Sequence, residues 1–430
     1  MLPDGAPLSD WLTWLETLSP KEIDLGLERV QTVLGRLSLD LPRHVLTIAG
    51  TNGKGSSVAA TTALLQAAEY RVGAYTSPHV IDFNERIVID GVPAKDAVIV
   101  AAFERIEQVR DGLPLTYFEY GTLAAMVIFA TARLDVWVLE VGLGGRLDAT
   151  NAIDPTASLI TNVALDHCNW LGDDVESIAA EKAGIMRNAV TTVVGATEVP
   201  EALLEHAERS GARLLLAGRD FHCQRHDNGL WTWRSSGRVF ENLQPPGLRG
   251  EFQYGNVAAV LTLLDAAGLD RALDVALINR VLPTLSLAGR MQRISAGDAN
   301  WLLDVAHNPA AAAELGAALA AERRDAADTW AIIGALDDKD IAGIATPLNP
   351  VVDHWIAVTA DCPRALPAAE LGRQIGNACN RPCRIIDSLE DAMDYARGRA
   401  AAEDTLLVTG SFYVVGPALS ALGLYSRPAS

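Results

Sequence analysis

The stretch LTIAGTNGKGSSVAATTALL, residues 46–65, decides how the rest of the chain is read. An apolar run ends at Gly50, a short glycine-bearing loop follows, and a helix-like pattern begins. The usual phosphate loop reads G-x-x-x-x-G-K-[ST], with lysine directly before the hydroxyl residue. Here Gly50 is followed by Thr51, Asn52, Gly53, Lys54, Gly55 and Ser56, so a glycine separates lysine from hydroxyl. The loop is either a phosphate cradle of another form or a glycine-rich turn that only resembles one.

Outward from this stretch, short β-branched runs alternate with helical patterns, as in a doubly wound parallel sheet. The expected strands are 44–50, 71–77, 135–142, 157–163 and 190–196, separated by helical stretches such as SSVAATTALLQAAEY. The segment RDFHCQRHDNGLWTWRSSGRVF (219–240) alternates polar and apolar residues around turn glycines and predicts an antiparallel insertion. Helices resume at QYGNVAAVLTLLDAAG (253–268). Around PTLSLAGRMQRI (283–294) proline and glycine bracket an expected hinge. A second alternating series follows in WLLDVA, TWAIIGA, HWIAVTA, CRIID and DTLLVTGSFYVV. The expected organisation is a P-loop α/β domain over 1–287 and a smaller Rossmann-like α/β domain over 288–430.

Ligands of open α/β sheets bind beyond the carboxyl ends of the strands, so what each strand delivers there matters. The run 44–50 delivers TNGKGS and a helix start, whose free N–H groups and dipole favour an anion. The run 71–77 delivers TSPH, with Ser77 and His79. The run 135–142 carries Glu140, and 157–163 leads into NVALDHCNWLG with Asp166 and His167. These are the parts of a site for a nucleoside triphosphate and magnesium, which needs only a few hard oxygen ligands from protein. Beside the loop Glu140 reads as a metal ligand in preference to a salt bridge at a strand end, whereas His79 reads equally as a packing or hydrogen-bonding residue.

In DDVESIAAEKAGIMR (173–187), Val175, Ile178, Ala179, Ile185 and Met186 share a helical face, with Lys182 in the middle of the stripe. Burial disfavours the ammonium, and a neutral amine can take up carbon dioxide as a carbamate, a hard oxygen ligand. From periodicity alone the simpler reading is a snorkelling lysine paired to Glu140 or Asp166.

The chain of 430 residues carries 35 basic and 54 acidic residues, a net charge of −19, and 49% hydrophobic residues. Its length predicts two domains, and its charge disfavours nucleic acid and anionic membrane as main partners. The stretch MLPDGAPLSDWLTWLE has neither a basic start nor a sustained apolar core, so no secretory signal is expected. No run approaches the ~18 apolar residues of a membrane span. The five cysteines form no C-x-x-C pair or zinc pattern, which suits a reducing cytosol.

Taken together and in order, AGTNGKGS, TSPH, FNERI, LEVGLGGRLDATN, TNVALDH…LG, AAEKAGIMR, LAGRMQ, DVAHNP and TGSFY closely resemble folylpolyglutamate synthase. The resemblance runs nearly end to end, includes IDLGLERV (23–30), and is closest to the bacterial bifunctional form that is also a dihydrofolate synthase. That family belongs to the wider Mur ligase fold, whose phosphate loop has the form seen here.

The resemblance implies roles. Asn52, Gly53, Lys54, Gly55 and Ser56 would hold the ATP phosphates, with Asn256, Arg290, Asp304 and His307 contacting the nucleotide. Ser56, Ser77 and Glu140 would bind one magnesium, and His167 with a carbamylated Lys182 a second, which reverses the preference for snorkelling. Lys54, His167 and Lys182 would be the catalytic set. Gly26, Leu27 and Arg29, then Thr116, Phe118 and Glu119, then Leu147, Asp148 and Ala149 would surround the folate or pterin, Phe118 by stacking. Where relatives often read Asp-His-Thr-Asp-Trp-Leu-Gly, this chain has Asn169, which removes a charge near the second metal.

The activity so implied is an ATP-dependent amide ligase. It adds L-glutamate to 7,8-dihydropteroate and to reduced folates through an acyl phosphate. The expected cofactors are ATP, magnesium at two sites, and a potassium ion whose requirement the sequence leaves open. The expected partners are these small molecules, without nucleic acid or membrane, and the expected state is a cytoplasmic monomer. Alternatives are a monofunctional folylpolyglutamate synthase and another Mur-type amino-acid ligase. The peptidoglycan type is disfavoured because no uridine-nucleotide domain is expected before the loop at Gly50. A non-catalytic ATP-gated switch is also disfavoured, since it has no need of a buried lysine beside a second metal site.

Overall fold

A computed structural model of the chain describes residues 5–18, 24–296, 299–323 and 327–424, so Met1–Asp4 and Ile23 of IDLGLERV lie outside them. The first sheet contains β1 (His44–Ala49), β2 (Val72–Tyr75), β3 (Ile87–Ile89), β4 (Val92–Pro93) and β5 (Val136–Glu140). It is completed by β6 (Ala157–Ile160), β7 (Thr191–Val194) and β8 (Arg213–Leu216). Their spatial order is β4-β3-β2-β5-β1-β6-β7-β8. β2, β5, β1, β6, β7 and β8 run parallel.

Both faces of this sheet are covered, and the strand pleat divides the side chains between them. Leu46, Ile48, Val136 and Val138 join a core beneath helices Lys54–Ala67 and Phe252–Ala266. Val45, Trp137 and Leu139 point the other way, into a core with helices Asp96–Arg110 and Tyr117–Ala132.

The expected parallel sheet carries an antiparallel hairpin, β3–β4, at one edge. Residues 76–86 between β2 and β3 are too few for a crossover helix, so β3 turns back on β2. Asp90 and Gly91 between β3 and β4 both have positive φ (48° and 82°), as an Asp-Gly hairpin turn requires. β8 is a further strand that was not expected.

The insertion is a three-stranded antiparallel sheet of β9 (Phe221–Arg225), β10 (Trp231–Ser235) and β11 (Arg238–Leu243). Trp231 and Trp233 anchor it in the first core, with Trp233 Nε1 donating to Thr262 Oγ1 at 3.1 Å.

The second sheet has the order β12-β13-β17-β14-β15-β16. Its strands are β12 (Gln292–Ala296), β13 (Ala299–Asp304), β14 (Thr329–Ile333), β15 (His354–Ala357), β16 (Cys383–Ile385) and β17 (Thr405–Thr409). β12 is antiparallel to β13, so the end of the expected hinge stretch is strand. The run DTLLVTGSFYVV is not one element. It breaks at Gly410 (φ 99°), where a Cβ would lie 2.5 Å from Gly334 O, and continues as helix Phe412–Ala421. Among the described residues no helix is long and apolar enough to cross a membrane.

Candidate active site between the two sheets

The carboxyl ends of β1, β2, β5 and β6 face those of β13, β14 and β17 across a cavity of about 690 Å3. After β1 the chain turns through Gly50, where a Cβ would sit 1.8 Å from Thr161 Oγ1. The loop is pinned to the end of β6: Thr51 N donates to Asn162 O (3.0 Å), Asn52 N to Asn162 Oδ1 (2.8 Å) and Thr161 Oγ1 to Asn52 O (2.6 Å). Gly53, with φ 82°, precedes helix Lys54–Ala67 without a side-chain cap, so the first N–H groups are left for an anion. Lys54 Nζ folds back onto Gly50 O (3.0 Å) and Thr51 O (3.1 Å). Burial lowers the pKa of this ammonium, with Glu140 and Asp166 opposing.

Glu140 ends β5 and accepts a hydrogen bond from Ser77 N at 3.2 Å. Burial raises its pKa, and Lys54 opposes that rise. His167 has φ 53°, and burial lowers its imidazole to a pKa of about 4, so the ring is neutral and free to ligate near neutral pH. Burial would raise Asp166, but His307, His167 and Lys339 outweigh it and hold the carboxyl well below the usual range. His79 accepts from Arg86 Nε at 2.9 Å on Nδ1, which fixes it as a neutral partner of that guanidinium.

Lys182 is 3% exposed, and burial, followed by the nearby Lys54, brings its amine down to about 7. Among the described residues it forms no ion pair with Glu140 or Asp166, so the snorkelling alternative is not what is seen. Its helix spans Val175–Ala183, so Ile185 and Met186 are buried beyond the helix end, while Val175 is exposed. The loop after β5 causes the burial. At Gly145 a Cβ would lie 2.8 Å from Glu181 O and 3.1 Å from Lys182 Cα, and at Gly184 one would lie 2.3 Å from Arg146 Cβ. Glycine at these positions lets the two backbones touch, and Arg146 N donates to Glu181 O at 2.8 Å.

From the second sheet, Asp304 accepts from Met291 N and Ala306 N, both at 2.8 Å. Arg290 packs over the Phe412 ring at 5.1 Å, and His307 Nδ1 lies 2.9 Å from Val305 O. Asn256, on helix Phe252–Ala266, faces the loop: a Cβ on Gly53 would meet its Oδ1 at 2.8 Å. Every candidate for phosphate, nucleotide or metal binding lines this one cavity.

The Mur ligase middle domain matches residues 48–264, and the Mur ligase glutamate ligase domain matches residues 289–412. The dihydrofolate synthase/folylpolyglutamate synthase of Escherichia coli is 41% identical over 415 residues, 96% of this chain and 94% of its own length. The chain belongs to the dihydrofolate synthase/folylpolyglutamate synthase family. A solved structure of E. coli FolC in complex with DHPP and ADP superposes with a TM-score of 0.92 at 40% identity, covering 98% of this chain and 99% of that one. A bifunctional folylpolyglutamate synthase/dihydrofolate synthase with Mn, AMPPNP and L-glutamate bound gives 0.89 at 38% identity, covering 98% and 99%.

The folate candidates of this family member lie outside the main cavity. Arg29, Thr116 and Glu119 bond to one another, and Asp148 bonds to its chain neighbours. Arg29 bridges Asp24 (2.7 Å) and Glu119 (3.0 Å). Thr116 and Glu119 form a reciprocal capping box on helix Tyr117–Ala132 (2.7 and 3.2 Å). Asp148 takes Leu143 N at 2.9 Å and Thr150 Oγ1 at 2.6 Å. The Phe118 ring lies 2.6 Å from where a Cβ on Gly142 would stand, so it backs the cavity wall. Gly26 and Leu27 lead into helix Glu28–Leu37, while Leu147 and Ala149 flank Asp148.

Reading the sequence missed Lys339, Asp361, Arg364 and Arg86, all of which line the cavity. For Lys339, Asp361 and Arg364 the signal existed: the strand-end rule, applied to the second sheet, points to the loops after β14 and β15, while Arg86 lies between β2 and β3.

Proposed function

We propose that this member of the family is an ATP-dependent carbon–nitrogen ligase that joins L-glutamate to 7,8-dihydropteroate and to reduced folates. Its two lobes would divide at residues 287/288. The observation that carries the reading is the gathering of the loop 50–56, Ser77, Glu140, His167 and Lys182 in one cavity with Arg290 and Asp304. The nucleotide, DHPP and glutamate named for the superposable relatives support it.

The donors suit magnesium bound with a nucleotide. Among the described residues no three His, Cys, Asp or Glu side chains gather as a metal cluster. Magnesium needs few protein oxygens when phosphate oxygens and water supply the rest, so these residues would suffice to hold it. Ser56, Ser77 and Glu140 would hold one ion, and His167 with a carbamylated Lys182 the other. The bound metal supplies positive charge at the phosphates.

The reaction must bring an anionic carboxylate against an anionic phosphoryl group. The N–H groups of 53–56 orient the phosphates, and Lys54 offsets the repulsion. The γ-phosphoryl passes to the substrate carboxylate. The glutamate amine then attacks the acyl phosphate, loses a proton, and expels phosphate.

Incubation with ATP, glutamate and either dihydropteroate or tetrahydrofolate, followed by product masses, tests the reading. Each acceptor should gain glutamate residues with one phosphate released per bond. If neither acceptor gains mass, the reading falls; a gain on tetrahydrofolate alone narrows it to the monofunctional enzyme. Glu140→Gln keeps the acceptor for Ser77 N but removes the charge. Its magnesium affinity, titrated by ADP binding, should weaken by at least roughly 10-fold, the low end of what even an outer-shell change costs a metal site.

A further inference from the structure

The two domains meet over one carboxylate. Asp166 follows β6 in the first domain, where the neutral His167 ring lies beside it, with Nε2 at 3.9 Å. The second domain contacts it three times. Lys339 Nζ lies 2.9 Å from Oδ1, Asn308 Nδ2 lies 2.9 Å from Oδ2, and His307 Nε2 lies 3.4 Å from Oδ2. These groups come from two separate loops, after β13 and after β14. The Lys339 side chain is only 8% exposed and has one other anion, Asp338, at 3.5 Å.

Asn308 adds a second tie. It exchanges hydrogen bonds with Asn52 of the phosphate loop (3.0 and 3.2 Å), and its Oδ1 caps helix Pro309–Glu322 by accepting from Ala311 N. Whatever docks on Asp166 thus carries that helix and meets the phosphate loop in the same step.

We propose that Asp166 is the positioning residue on which the second domain closes, with Lys339 as its charged counterpart. A buried ion pair adds little net stability, because desolvation of both charges offsets their attraction. Removing one partner, however, strands the other, so the pair specifies one register. Here that register is the closed one, since the pair exists only when the two domains are together. Closure matters chemically because water competes with the amine. Water attacking the acyl phosphate regenerates the carboxylate and releases phosphate with no amide made.

The kinetic arm of the test rests on the ligase reading; the scattering arm does not. Lys339→Met and Asp166→Asn each remove one charge from opposite domains, so misfolding of one leaves the other informative. For the full chain with ADP and magnesium, small-angle X-ray scattering should show a larger radius of gyration in both. Phosphate released per amide formed should rise severalfold above the unaltered protein's value, and Lys339→Arg should bring it back. Unchanged scattering in both variants, unchanged coupling, or an arginine variant as leaky as the methionine one overturns the proposal. If the unaltered protein forms no amide, the ligase reading has failed, and scattering alone decides the latch.

Discussion

Lys54→Ala is expected to lower kcat for amide formation by about 1,000-fold, the scale seen when a charge-stabilising group is removed from acyl or phosphoryl transfer. Lys54 is the cation of the phosphate loop, on the first turn of an uncapped helix. Its ammonium donates to Gly50 O and Thr51 O, so the charge is held over the loop proposed to take the phosphates. The alanine variant loses those two hydrogen bonds, but the loop stays pinned through Thr51, Asn52 and Thr161. The thermal midpoint should therefore hold, or rise slightly once a partly desolvated cation is gone. Lys54→Arg should rescue poorly, because a planar fork does not fit a site built for a point charge. Single-turnover phosphoryl transfer, with melting curves alongside, measures both. Activity of the alanine variant within about tenfold of the unaltered chain would remove Lys54 from the proposed role.

The second large effect is at Lys182. Lys182→Ala is expected to lose roughly 100-fold or more in kcat, the cost of one oriented charge in a dry site. Acetate or formate should restore part of the loss by placing a carboxylate where the carbamate stood. The neutral amine adds carbon dioxide and gives up a proton, so only the unprotonated form reacts. With the buried amine near 7, activity should fall as pH drops through 7, and added bicarbonate should recover it. The same shift sets a sign for stability in the unmodified chain. An unfolded lysine titrates near ~10.4, so between about 7 and that value the unfolded chain binds the extra proton and stability rises with pH. In Lys182→Ala that slope should flatten. Full activity of the untreated variant would sink the carbamate.

Much of this site is legible from strand ends. TNGKGS, Ser77, Glu140 and the Asp166–His167 pair each follow a β-branched run, and the covered parallel sheet places them at one edge. The Asp90–Gly91 hairpin was not anticipated, although Asp-Gly between apolar residues is a tight-turn signal. Helical periodicity misjudged the stripe around Lys182. Val175 is exposed, and Ile185 and Met186 are buried beyond the helix, because the cover comes from the loop at Gly144–Gly145. The burial of that lysine is a contact between segments about forty residues apart, which no local period can register.

The order of apolar runs, the glycines and the strand-end polar residues determined by themselves that the chain folds as two α/β units around a phosphate loop. These are local properties, set by pleat, helix period and backbone freedom. Which charges would face one another was decided only by the tertiary structure. Asp166 finds Lys339 across 173 positions of sequence, Arg29 finds Glu119 across 90, and Lys182 loses its water to a loop far behind it. Electrostatic energy depends on distance and desolvation in space, and neither is written in the spacing of residues along a chain.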